Sequence, residues 1–200
     1  MNKTNFWQPK RQIAEFILPG HPDKLCDRIA DSLVDEACRR DPKSLVGVEV
    51  ALHQQVVLVT GCITTTPPMT TAEVDEVVRQ VFRDAGYDEQ WLATDTLRID
   101  HDLRLEELDD ELRGLRSISD DQAICVGYAG GSVDDGYLPK AHRLAYIAGQ
   151  RMLAVRDDYG LGPDGKVIVV CDGEEIESVS ISLHHQPSLK LVTFALLVFQ

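Results

Sequence analysis

The chain has no C-x-x-C pair, and its five cysteines (Cys26, Cys38, Cys62, Cys125 and Cys171) are scattered and odd in number. Such spacing points away from both a zinc site and a disulfide framework. Basic residues are in short supply, 20 against 33 acidic ones, for a formal charge of −13. That balance argues against nucleic acid or an anionic membrane as a partner. It still admits a small phosphate-bearing ligand, which needs only a local basic pocket. Residues 1–16 lack the apolar core of a secretory signal, and no apolar run reaches membrane-spanning length. The expected setting is the reducing cytoplasm. Rossmann and Walker glycine patterns are absent, as is a nucleophile elbow. No Pro/Gly/Ser linker divides the chain.

What is present is an ordinary globular composition, 44% hydrophobic and 26% charged over 200 residues. That length suits one substantial domain or two small ones. The last ten residues, LVTFALLVFQ (191–200), are almost wholly apolar. They are too few to cross a bilayer, so they are buried in the fold, cover another chain, or invite aggregation.

A first helix is expected from Pro22 to about Arg40. Leu25, Ile29, Leu33 and Ala37 recur every four residues, with Ala30 and Val34 widening the stripe. Pro22 suits the first helical position, and Asp41-Pro42 stops the helix. Two strands follow, 45–52 and 55–64, turning near His53-Gln54. A second helix starts after a Thr70/Glu73 capping box, buries Val74, Val77, Val78 and Val81, and ends at Gly86. Residues 95–103 read as a further strand, 105–121 as a charged loop or exposed helix, and 123–129 as a buried strand. A third helix, Pro139 to Arg156, precedes a hairpin of strands 166–172 and 175–185. The order is helix–strand–strand three times over. It predicts an α+β fold of mixed or antiparallel sheets with helices on one face.

The stretch GHPDK, Gly20 to Lys24, opens the first helix with a histidine, an aspartate and a lysine. A helix start offers free N–H groups and a positive dipole end to a phosphate. His21 and Lys24 add donors and charge. Asp23 alone would repel polyphosphate by about 1 kcal/mol at 4 Å in water, and by more in a drier cleft. A magnesium ion between carboxylate and phosphate reverses that sign. The plainer alternative is that Asp23 complements the dipole, Lys24 is solvated and His21 caps the helix.

GHPDK, then DPKSLVGVEVAL, VVLVTGCITT, VDEVVRQVFRDAGYD, DDQAICVGYA, LPKAHRLA and GPDGKVIVVCDGEEIESVSISLHH, resembles the N-terminal half of S-adenosylmethionine synthetases. The blocks keep the family's order across residues 15–186. The resemblance therefore frames 1–186 as that N-terminal portion, incomplete relative to the family, and 187–200 as an apolar tail. It implies a methionine adenosyltransferase, in which methionine sulfur attacks the ribose of ATP and displaces tripolyphosphate. It implies His21 and Lys166 as catalytic, and Glu15, His21, Lys24, Asp121, Gln122, Asp164, Gly165 and Lys166 as ATP- or substrate-binding. It also implies Asp23 as a magnesium ligand and Glu49 as a potassium ligand. As plain sequence, PDGK is a turn signal and Glu49 an outward-facing strand residue. His184-His185 lacks a third ligand and reads as a strand end, and His142 as structural.

The departures are specific. Where the family has a glutamate facing the methionine ammonium, this chain has Cys62. Asp120 and Ala123 replace glycines that flank the Asp-Gln pair. The family's Gln-Ser block is absent, and Arg104 or Leu105 falls near its glutamine. Family chains are also about twice as long. The expectation is a transferase subunit acting on ATP and methionine or an analogue, completed as a homo- or hetero-oligomer by a chain that supplies the missing half. The alternative is a non-catalytic regulatory or scaffold relative that binds nucleotide weakly or partners a full-length synthetase.

Overall fold

A computed structural model describes residues 10–115, 124–130, 133 and 136–187. The chain forms two compact units, one from Pro19 to Ile124 and one from the residues before and after it.

The central unit holds strands β2 (Leu45–His53), β3 (Val56–Thr65) and β4 (Arg98–Glu107), with helices α1 (Pro22–Arg40) and α2 (Thr71–Ala85). β2 and β3 are an antiparallel hairpin, and β4 lies parallel to β3 on its other side. The α1 stripe is buried as its spacing predicts: Leu25, Ile29, Leu33 and Ala37 pack with Val57, Val59, Ile63, Val74 and Val78. Val34 is not part of it, being 38% exposed. It follows Leu33 directly, about 100° round the helix from the buried stripe.

The second helix carries the expected capping box. Thr70 Oγ1 accepts from the Glu73 N–H at 3.3 Å, and the Glu73 carboxylate accepts from the Thr70 N–H at 2.8 Å. The same carboxylate takes a 2.6 Å hydrogen bond from Arg40, tying the end of α1 to the start of α2. Arg40 first, and the Thr70 donors after it, pull the Glu73 carboxyl from its usual 4.5 down to about 2. Folding therefore favours the ionised form, so this contribution is complete above about pH 4.5 and vanishes as pH falls toward 2. Between those pH values the wild-type unfolding midpoint should fall more steeply than that of Glu73→Gln. Parallel acid titrations of thermal unfolding will show this as converging curves.

The outer unit is an antiparallel sheet in the order β1-β5-β6: β1 (Arg11–Ile17), β5 (Leu161–Asp172) and β6 (Glu175–His185). Helix α4 (Lys140–Ala154) covers it through Ala141, Ala145, Ala148 and Met152. His142 of this helix is solvent-exposed.

The α+β class, the three long helices and both hairpins agree with the sequence reading. Several elements depart from it. β1 was not expected. β4 runs to Glu107, taking in the start of the segment read as a charged loop or exposed helix, while a short helix α3 (Asp110–Leu115) bears out the helical alternative for part of it. Of the buried strand expected at 123–129, the described residues 124–129 have no regular structure, and Ile124 and Val126 are 90% and 91% exposed. An apolar run has strand propensity, but a strand needs a partner edge, and none of the described strands pairs with it. The repeat of helix, strand, strand is accordingly broken in its middle member.

Candidate functional site

In the central unit the GHPDK residues meet at the first turn of α1. His21 is its N-cap, with extended backbone (φ −65°, ψ 138°) and Pro22 at the next position. Its imidazole Nδ1 accepts a 3.2 Å hydrogen bond from the Asp23 N–H. Nδ1 is therefore the unprotonated nitrogen of the neutral ring, which places the remaining proton on Nε2 as a donor. Capping the helix and donating to an anion are thus compatible tasks for one side chain.

The Asp23 carboxylate is 80% exposed and lies 3.8 Å from His21 Nδ1. Lys24 is exposed beside it. Among the described residues no group of three or more histidine, cysteine or acidic side chains is gathered for a metal. A single exposed carboxylate at an anion-attracting helix start nonetheless fits magnesium. That ion commonly uses one or two protein carboxylates with phosphate oxygens and water.

The face of the β2-β3-β4 sheet turned away from α1 and α2 carries Glu49, Thr60, Cys62 and Arg104. Their neighbours Val48, Val50, Val59, Ile63, Leu103 and Leu105 pack into the core on the other side. Glu49 is exposed opposite Thr60, so the outward-facing reading describes its position. An exposed carboxylate beside a hydroxyl is chemically suited to a monovalent cation. The Cys62 sulfur lies 3.4 Å from the Thr64 hydroxyl. Register pairs Cys62 with Gly47 on one side and Arg104 on the other. Arg104, not Leu105, thus shares the Cys62 face.

In the outer unit, β1 and β5 bring Glu15 and Lys166 together. Register sets Ile17 against Lys166, and the Glu15 carboxylate reaches the Lys166 ammonium at 3.1 Å. Both side chains retain solvent access, at 56% and 29% exposure, so the pair is available to a ligand.

PDGK is not a turn. It lies inside β5, where the pairing with β6 shifts register between Leu161 and Gly165. Such a bulge re-aims the following side chain while the strand continues. Gly165 is buried, its carbonyl accepts from the Leu18 N–H at 2.8 Å, and an added Cβ would meet Leu18 Cδ1 at 2.8 Å. Asp164 is half-buried on the bulge. His184 lies over Gly162, and the His185 ring bonds the Gln186 carbonyl at 2.8 Å. Asp121, Gln122 and the tail 188–200 lie outside the described residues.

Sequence reading missed two features here. One is the Glu15–Lys166 contact, which depends on an unexpected strand. The other is Tyr87, whose hydroxyl donates to the Gly20 carbonyl at 2.8 Å. The only signal for Tyr87 was its place directly after the glycine that ends α2.

Residues 11–107 match the model of the S-adenosylmethionine synthetase N-terminal domain. Among curated proteins, S-adenosylmethionine synthase of Aquifex aeolicus is 32% identical over 90% of this chain and 50% of its own length. S-adenosylmethionine synthase 1 of Rhodopseudomonas palustris is 32% identical over 88% and 49%. Among solved structures, an unusual S-adenosylmethionine synthetase from Campylobacter jejuni superposes with a TM-score of 0.72 at 26% identity. That match covers 94% of this chain and 52% of the other. The chain thus spans about half the length of the relatives it matches. Among the described residues no helix is long and apolar enough to cross a membrane.

Proposed function

We propose that this chain, which corresponds to the N-terminal half of the S-adenosylmethionine synthetase family, binds the polyphosphate of ATP at the start of α1. There it serves as one part of a methionine adenosyltransferase site. The observation that carries the reading is the His21 geometry: Nδ1 is consumed by the helix cap, leaving Nε2–H as a neutral donor beside the exposed Asp23 carboxylate. His21 donates to a phosphate oxygen, Lys24 supplies positive charge, and Asp23 holds the divalent ion. When bound, that ion neutralises the negative charge that builds on the departing tripolyphosphate.

Lys166, with Glu15 as its resting counter-ion, is the phosphate-directed lysine that the family resemblance implies. Asp164 and Gly165 precede it on the strand and contact the nucleotide, and Asp121 with Gln122 complete the substrate side. Glu49 holds potassium on the open sheet face. The chain spans about half the length of its relatives, and on this reading the remaining groups reach the site from polypeptide outside residues 1–200, such as a second chain or a second copy. The substrates are ATP and methionine or an analogue, and the reaction takes place in the cytoplasm.

A second reading, a non-catalytic regulatory or scaffold subunit that binds nucleotide weakly, is favoured by Cys62. A thiol there, near Thr64, offers no carboxylate for an amino-acid ammonium. Calorimetric titration with tripolyphosphate, with and without magnesium, separates the two. Binding should strengthen at least tenfold with magnesium, and Asp23→Ala should abolish that gain. Magnesium-indifferent binding unchanged by Asp23→Ala would overturn the metal-assisted reading. Loss of S-adenosylmethionine formation when Asp23→Ala replaces the wild-type chain alongside an unaltered co-purifying partner would exclude the scaffold one.

A further inference from the structure

We infer that Tyr87 is a positioning residue for His21, an inference that rests on the polyphosphate reading only for its functional consequence. The chain of causes starts at the end of α2. Gly86 adopts a left-handed conformation (φ 101°), its N–H bonds the Arg83 carbonyl at 2.9 Å, and the Tyr87 N–H bonds the Phe82 carbonyl at 3.0 Å. This helix ending turns the chain back on itself. The Tyr87 ring consequently lies against buried Phe82, with centroids 5.3 Å apart, and its hydroxyl reaches the Gly20 carbonyl at 2.8 Å.

Gly20 is buried, so its carbonyl has strong need of that donor. The peptide linking Gly20 to His21 is planar. Pinning its oxygen therefore also pins the direction of the His21 N–H. The next peptide is held as well, because the His21 carbonyl accepts the first helical hydrogen bond from Leu25 at 2.9 Å. With both flanking peptides fixed, the imidazole is presented in one orientation, and its Nδ1 meets the Asp23 N–H. Of these three hydrogen bonds, only that of Tyr87 arrives from another element. The end of α2 thereby sets the aim of the histidine at the start of α1.

Tyr87→Phe keeps the ring and removes the donor. The Gly20 carbonyl must then rotate to find another partner, and the His21 backbone turns with it. Two readouts test this at a temperature where the proteins are fully folded. The first is the nitrogen-15 resonances of the His21 ring without ligand. Wild type should show a dominant Nε2–H tautomer, and Tyr87→Phe a shifted, mixed signal. The second is affinity for tripolyphosphate with magnesium, expected to fall about fivefold to tenfold. Val78→Ala, which opens a cavity in the same helix without touching the hydroxyl, controls for lost stability. It should lower the melting temperature yet move neither readout.

Unchanged His21 resonances in Tyr87→Phe would overturn the inference, as would an equal shift in Val78→Ala. If wild type binds no magnesium–tripolyphosphate, the polyphosphate reading is what fails, and the ring resonances alone decide the role of Tyr87.

Discussion

Exchanging His21 for asparagine should leave the fold intact while lowering the proposed S-adenosylmethionine formation about a hundredfold, measured together with the polypeptide proposed to complete the site. Asparagine is among the strongest N-cap residues, and its side-chain oxygen can accept the Asp23 N–H that Nδ1 accepts now. The helix start therefore loses little, and the melting temperature should stay within a degree or two of wild type. What disappears is the Nε2–H donor. A single donor aimed at developing negative charge is worth roughly two to three orders of magnitude in rate where such groups have been removed from enzymes. His21→Ala makes the complementary comparison, since it removes cap and donor together and costs about a further 1 kcal/mol of stability. A fall in melting temperature for the asparagine variant, with the rate unaffected, would mean that His21 is a cap and nothing more.

Gly61→Ala should be the most damaging single-methyl change in the central unit, costing on the order of 4 kcal/mol or more. Gly61 sits on β3 opposite Val48 with φ +119°, a backbone conformation that side chains rarely adopt. A Cβ at this position would lie 2.1 Å from the Gly47 carbonyl oxygen and 3.0 Å from Val48 Cα. Both obstacles are backbone of the paired strand. Neither can yield without breaking the β2–β3 ladder that carries Glu49 and Cys62. Chemical denaturation should register the loss, with poor soluble yield as its coarse sign. A variant within 1 kcal/mol of wild type would show that the hairpin can shift at small cost.

The elements legible in the sequence are those whose causes are local. The four-residue recurrence from Leu25 to Ala37 defines α1 because one helical face meets the core. Thr70, Glu73 and Gly86 mark the two ends of α2 through hydrogen bonds spanning only a few residues. Elements fixed by distant partners were not legible. The sequence RQIAEFI places Ile13 outward at 67% exposure and Phe16 inward, so its alternation does not advertise a strand until β5 is there to pair with it. PDGK looks like a turn because Pro-Asp-Gly favours one, yet two flanking strands draw it into a bulge. AICVGYA has the composition of a strand and, among the described residues, no strand beside it.

The site divides in the same way. His21, Asp23 and Lys24 share a single helical turn, and their joint chemistry could be argued from five letters. The family resemblance named Glu15 and Lys166 separately, but only β1–β5 pairing shows that one is the counter-ion of the other. Tyr87 escaped notice because its role is exerted on a backbone oxygen, which leaves no trace in residue type. Arg104 could be assigned to the Cys62 face only once the parallel register with β3 was in hand.

Because the first strand of the outer sheet pairs with β5, from Arg11 against Asp172 to Ile17 against Lys166, its partner leaves a ribosome only after the whole of residues 19–124. The intervening chain can collapse early, since its own contacts close within residues 19–124. Throughout that interval β1 is an unpaired edge with a protruding isoleucine, the kind of surface on which nascent chains stick to one another. Arg11 and Glu15 place charge along that edge, a feature that disfavours edge-to-edge pairing.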